Sequence, residues 1–376
     1  MNLLSHLDLQ QVHELKGRDW PVSSIGRTIE AYSMEQMIRQ EAPSVVLISV
    51  CETGEESLLK LIRECFYSLY ITSKGFMCAD AGIFIGNSEA LQEALGRIRD
   101  YGSIPIVISP DQSVTYQMYL SYCNREQTVN LLSIDDSPDL NEDIPFPGNS
   151  NWLSFVLSHA PNYLFNYALL GYQSYLSNSE MIKTLTDLHF DLHRLGQIRK
   201  SISSTEPLFR NADFVSFDIG AIRASDSDCN INPGPNGLYA EEACQLIRYA
   251  GISNKLSMVG VFGWMNRPKL NSITPMLIAQ LIWHFIDGVL SRSSDGVVGE
   301  GDDYTTYKLT SEDVHEELVF YKNIFNGRWW MNVPMNDHSK GKYKKHRIVP
   351  CAYEDYQQAM KGEIPDTWWQ TYQKLM

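Results

Sequence analysis

The sequence predicts a three-layer α/β/α fold around a mainly parallel sheet. Short apolar runs alternate with amphipathic stretches through most of the chain. Parallel strands need crossover connections, and crossovers put helices on both faces of the sheet. Several of the apolar runs are followed at once by acidic residues. In such folds ligands bind beyond the carboxyl ends of the strands, so those acids are the residues to examine.

Residues 44–50 (Ser-Val-Val-Leu-Ile-Ser-Val) read as a buried strand, and residues 55–70 as the amphipathic helix after it. Residues 82–85 are a short strand, and 88–101 a helix capped by Ser88. The strand 105–108 precedes a helix over 114–123, and 129–134 is a further strand. Strands over 214–219 and 258–262 flank a helix over 240–249. The apolar stretch 276–290 contains His284 and Asp287 and is too short to cross a bilayer, so it reads as a buried core helix. Residues 139–150 form a loop beside the strand ends, and the Gly/Ser/Asp-rich 293–303 closes the main domain. Residues 1–300 are thus assigned to the α/β domain, and 301–376 to an aromatic-rich C-terminal extension packed on it.

The composition narrows the class. With 376 residues, 44% hydrophobic and 20% charged, the chain can bury a large core. A net charge of -14 argues against nucleic acid and against an anionic membrane surface as partners. The cysteine count is odd, at seven, and no pair has Cys-x-x-Cys spacing, as in a reduced intracellular protein. With no basic-then-apolar leader at residues 1–11, a cytoplasmic location is expected.

Three strand ends carry the chemistry. The first reads Ile-Ser109-Pro110-Asp111-Gln112-Ser113, the second Ile-Asp135-Asp136-Ser137-Pro138-Asp139, and the third Ser216-Phe217-Asp218-Ile219-Gly220. In order, spacing and context they resemble the signature motifs of the ureohydrolases (arginase, agmatinase and formimidoylglutamase): Gly-Gly-Asp-His-Ser, Asp-Ala-His-x-Asp and Ser-x-Asp-x-Asp. The resemblance covers roughly residues 43–293 and includes Gly237-Leu238 and Glu242-Ala243 after the third motif. It implies an arginase/deacetylase-like fold, and a homo-oligomer, a trimer or hexamer. It also implies two manganese ions, held by six side chains, whose bridging hydroxide attacks a guanidinium or formimino carbon.

Residue by residue, three of those six positions are kept and three replaced. Gln112 stands where the first motif has His. In the second motif Asp135 and Asp139 are kept, and Ser137 replaces His. In the third, Asp218 is kept and Gly220 replaces the second Asp. Further on, Val261 to Pro268 holds no acid where the family has a substrate-side Glu, and Trp264 stands near that place. The resemblance puts Asp135, Asp139, Asp218 and Gln112 around one metal position, where the Gln112 carbonyl could serve as an oxygen ligand. The other position loses an imidazole and a carboxylate. The cofactor expectation is therefore none, or one divalent cation (Mg²⁺, Ca²⁺ or Mn²⁺), and not the full dinuclear centre. Three converging carboxylates need a cation, a basic side chain or protons. Alternatively, Asp135 and Asp218 cap the turns after their strands and Asp139 faces water.

Other signals are weaker. Trp329, Trp330, Trp368 and Trp369 either pack inward or form a partner-binding surface. The basic stretch Lys340, Lys342, Lys344, Lys345 and Arg347 reads as a solvated loop. His189 and His193 are four apart, but Phe190 stands where a zinc-protease helix needs Glu, so they read as packing histidines. Cys51 reads as a buried inert thiol, and Gly234-Pro235-Asn236-Gly237 as a turn. The whole points to a diverged ureohydrolase-like protein without dinuclear hydrolase activity, a binding or scaffold protein for a protein partner or a small molecule. The alternative is a metal-dependent hydrolase of a guanidino or formimino compound.

Overall fold

The computed structural model describes residues 6–31, 43–52, 54, 56–71, 77–141, 145–265, 271–296, 298–299, 302–310, 317–336 and 341–376. Fourteen strands form two sheets among these residues. The large sheet contains β1 (Leu7–Asp8), β2 (Glu30–Ala31), β3 (Val45–Val50), β4 (Cys78–Phe84), β5 (Ile104–Ile108), β6 (Val129–Ile134), β7 (Leu164–Tyr172), β8 (Asp191–Arg194), β9 (Phe214–Asp218) and β10 (Met258–Phe262). Its order is β1-β4-β3-β5-β10-β9-β6-β7-β8, with β2 pairing β4. Only β1 runs antiparallel to its neighbour.

Alternate residues of each strand enter different cores, because side chains leave a strand on opposite faces in turn. Val45, Leu47, Ile106 and Ile108 face the helices Ser57–Ser68, Ala240–Ile252 and Thr274–Leu290. Val46, Ile48, Val107 and Leu131 face the helices Ser88–Asp100, Val114–Cys123 and Trp152–Ser158. These are the three expected layers. The helix Thr274–Leu290 is a core helix, and among the described residues no helix is long and apolar enough to cross a membrane.

The structure departs from the sequence reading in several places. Asn87, not Ser88, caps the helix Ser88–Asp100, accepting from the Ala90 N–H at 2.9 Å. Ile219 leaves the strand and opens a short 3₁₀ turn, Ile219–Ala221. Strands β7 and β8 were not anticipated. Because β8 contains His193, while His189 sits in a turn with φ +58°, the two histidines share no helix face. Residues 142–144 of the acidic loop, Asn266 to Pro268 and Lys340 lie outside the described residues.

The extension is more ordered than its composition suggests. Strands β11 (Tyr304–Thr310), β12 (Glu317–Asn323), β13 (Trp329–Asn332) and β14 (Ile348–Cys351) form an antiparallel sheet in that order. Phe320, Met331, Val349 and Trp368 share a core with Phe165 of β7. His346 stacks on Phe165 at 4.0 Å and meets the Thr128 hydroxyl through Nε2 at 2.9 Å.

One polar network lies inside the large sheet. Arg63, fully buried, donates from Nε to Asp80 Oδ2 at 2.8 Å and from Nη2 to Ser49 and the Gly82 carbonyl. The Tyr67 hydroxyl donates to the same Asp80 oxygen at 3.0 Å. Removing one partner of a buried ion pair strands the other charge. Arg63→Met is therefore expected to lower stability by about 3–5 kcal/mol, read from the urea unfolding midpoint. A loss under about 1 kcal/mol would show that the pair contributes little.

Candidate functional site

Strands β5, β10, β9 and β6 are consecutive at the centre of the sheet and parallel. Their carboxyl ends therefore open onto one edge. Gln112 follows β5, Gly263 and Trp264 follow β10, Asp218 ends β9, and Asp135 follows β6. Sheet order thus brings together residues more than a hundred positions apart, as the motif spacing requires.

Asp135 and Gln112 are buried. Gln112 donates from Nε2 to Asp135 Oδ2 at 2.8 Å, and the other Asp135 oxygen accepts from the Asp136 N–H at 2.8 Å. The Gln112 backbone N–H reaches Asn149 Oδ1 at 2.5 Å, which ties the loop before the helix Trp152–Ser158 to the cluster. Asp139 accepts at Oδ2 from the Trp152 indole at 2.7 Å. Asp218 accepts at Oδ1 from the Gly220 N–H at 2.5 Å and so caps its own 3₁₀ turn. Ser137 Oγ donates to Asp136 at 3.0 Å. Asp111 is exposed and accepts from the Ser113 N–H at 2.8 Å and from the Ser113 hydroxyl at 2.6 Å.

Gln112 presents an amide N–H to the cluster. Asp135 accepts from the N–H of the next residue, and Asp218 caps its own 3₁₀ turn. Asp139 is held by Trp152 and does not simply face water. Among the described residues no group of three or more His, Cys, Asp or Glu side chains is arranged to hold a metal ion.

The carboxyls nonetheless feel one another. Burial, then Asp139 and Asp218, hold Asp135 well above the usual carboxylate range, against the Gln112 donor. Burial and then Asp218 do the same to Asp139, against the Trp152 donor. Burial pushes Asp218 up to about 7, opposed by the Gly220 N–H. Desolvation exceeds what the N–H donors return, so burial and mutual repulsion disfavour the charged form of all three carboxyls.

Three residues here escaped the sequence reading. Trp152 and Asn149 act across loops and leave no local signal. Gly263 did leave one, a glycine directly after an apolar strand. Its φ is +91°, and a Cβ there would sit 2.0 Å from Asp218 Oδ1. The four tail tryptophans lie elsewhere. Trp329, Trp330 and Trp368 are buried in or against the extension's core, and Trp369 is 42% exposed.

Two outcomes follow from this geometry. Gly263→Ala combines a left-handed backbone with a clash and is expected to cost at least about 2 kcal/mol, read by denaturant unfolding. A carboxyl raised in the folded state keeps a proton that the unfolded chain releases. The Asp218 contribution to stability should therefore fall as pH rises from about 4 to about 7, then level off. In chelator-treated protein, Asp218→Asn should flatten part of that fall, and an unchanged slope across urea midpoints would assign it to other groups.

No protein-family model matches the sequence, and no curated protein does. Solved structures do match. Formimidoylglutamase from Bacillus subtilis superposes with a TM-score of 0.64 at 15% identity, over 74% of this chain and 96% of that one. Trypanosoma cruzi formiminoglutamase, in a structure with manganese, gives 0.63 at 16% identity, over 73% and 100%. Arginase from Medicago truncatula gives 0.55 at 14% identity, over 66% and 88%. This protein has the arginase-type fold shared by those ureohydrolases.

Proposed function

We propose that this protein is an arginase-fold binding or scaffold protein that does not carry out two-manganese hydrolysis. The observation that supports this is the donor set at the strand ends. Gly220 has no side chain to offer, Ser137 Oγ is engaged by Asp136, and Gln112 turns an N–H toward Asp135. Two-metal hydrolysis needs two ions held a few ångströms apart by carboxylates and imidazoles, with an open position for water. The residues present do not fit that centre. A single hard cation would have to compete with the Gln112 and Trp152 donors for Asp135 and Asp139. In this reading the cluster is a hydrogen-bonded element that joins four strand ends, and binding is the surviving role.

The test is a metal count on protein purified without chelator and dialysed against manganese. It is paired with assays for urea or formamide release from arginine, agmatine and formimidoylglutamate. Fewer than two equivalents per chain and no release are expected. Two equivalents with manganese-dependent release would replace this reading with that of a working guanidino or formimino hydrolase.

A further inference from the structure

A second polar site lies at the opposite edge of the sheet. A cavity of about 440 Å³ opens between the amino ends of β9 and β10 and the C-terminal sheet. Arg210, Lys255 and Lys345 line it, with Trp330, Ile348 and Pro350 as apolar wall. That volume and mixture are those of a small-molecule pocket.

The cations here are under-matched. Arg210 is satisfied: Nε pairs with Glu206 at 2.8 Å, and Nη1 and Nη2 donate to the Trp329 and Cys351 carbonyls at 3.1 and 3.0 Å. At the mouth Asp295 is matched by Arg328 at 2.9 Å. Lys255 and Lys345, however, share one carboxylate, Asp213, at 3.2 and 3.9 Å. Asp213 also accepts from the Asn130 N–H at 2.7 Å. Beyond Asp213, Lys255 Nζ reaches the Asn211 carbonyl and Lys345 Nζ the Thr128 carbonyl. An ammonium has three donors, so both lysines keep capacity toward the cavity, where their side chains are 30% and 46% exposed.

A second feature points the same way. Ser253 caps the helix Ala240–Ile252 and lines the cavity. It is fully buried, and its hydroxyl has no hydrogen-bond partner. A buried hydroxyl without a partner is costly unless something occupies the space it faces.

We propose that this cavity binds a small organic anion whose carboxylate or phosphate meets Lys255 and Lys345, whose acceptor reaches Ser253, and whose apolar part lies against Trp330. The site is independent of the carboxyl cluster, which sits at the other ends of the same strands. It would give a binding role a ligand of defined chemistry.

Calorimetric titration of the full chain with phenyl phosphate and with phenylacetate tests this, with benzylamine as the charge-reversed control. Saturable one-to-one binding of either anion supports the site, and which of the two binds tells phosphate from carboxylate recognition. Lys345→Met removes a half-exposed side chain, so the fold should persist. It should weaken binding about tenfold, the loss expected for one charge-assisted hydrogen bond. Ser253→Ala should weaken binding by a smaller factor. The proposal is overturned if neither anion saturates at millimolar concentration, if benzylamine binds equally well, or if Lys345→Met leaves affinity within twofold.

Discussion

The constraint on which this structure depends is burial of the central strands on both faces. β5, β10, β9 and β6 carry apolar side chains into a helical layer above and another below, leaving little room for polar groups along their length. Polar chemistry is pushed to their ends. That is why Gln112, Asp135, Asp139 and Asp218 meet, and why the backbone between them is so tightly specified. Gly263 must be glycine because β10 turns away directly beside the Asp218 carboxyl.

The same constraint explains what was legible in the sequence. Met258–Phe262 matches the expected strand to the residue because burial on both faces writes an apolar run, and Val129–Ile134 matches to the residue although Asn130 and Ser133 interrupt its apolar positions. β7 is equally buried and carries Asn166 and Gly171 within its run. β8 is short and ends the sheet, with His193 and Arg194 in it. In the extension, β11 is an edge strand of mostly Thr, Tyr and Lys, which reads as polar chain until its partner β12 is known. Of the site, the three acids were readable because each is fixed to a strand end. Their hydrogen-bond donors were not, since Trp152 reaches Asp139 across thirteen residues and nothing local encodes that contact.

A buried carboxyl must find donors or take up protons. Asp135 has a donor on each oxygen, Asp139 has an indole, and Asp218 has a backbone N–H. Burial still outweighs those donors, which is why the carboxyls remain raised. Left bare, these buried acids would be costly; Gln112 supplies a donor to Asp135 and Trp152 one to Asp139.

Strand direction also separates the extension from this cluster. Its contacts with the main sheet fall at Thr128, Asn162, Phe165 and Arg210, which precede or open β6, β7 and β9. These are the amino ends, and the carboxyl cluster is at the others. Among the described residues the tail therefore docks away from Asp135 and Asp218. What it does supply is Trp330 and Lys345, which close a cavity over the lysine at the start of β10. The carboxyl cluster at one edge of the sheet and the cavity at the other are thus structurally independent. A binding role can sit on the elaborated edge without drawing on the chemistry of the first.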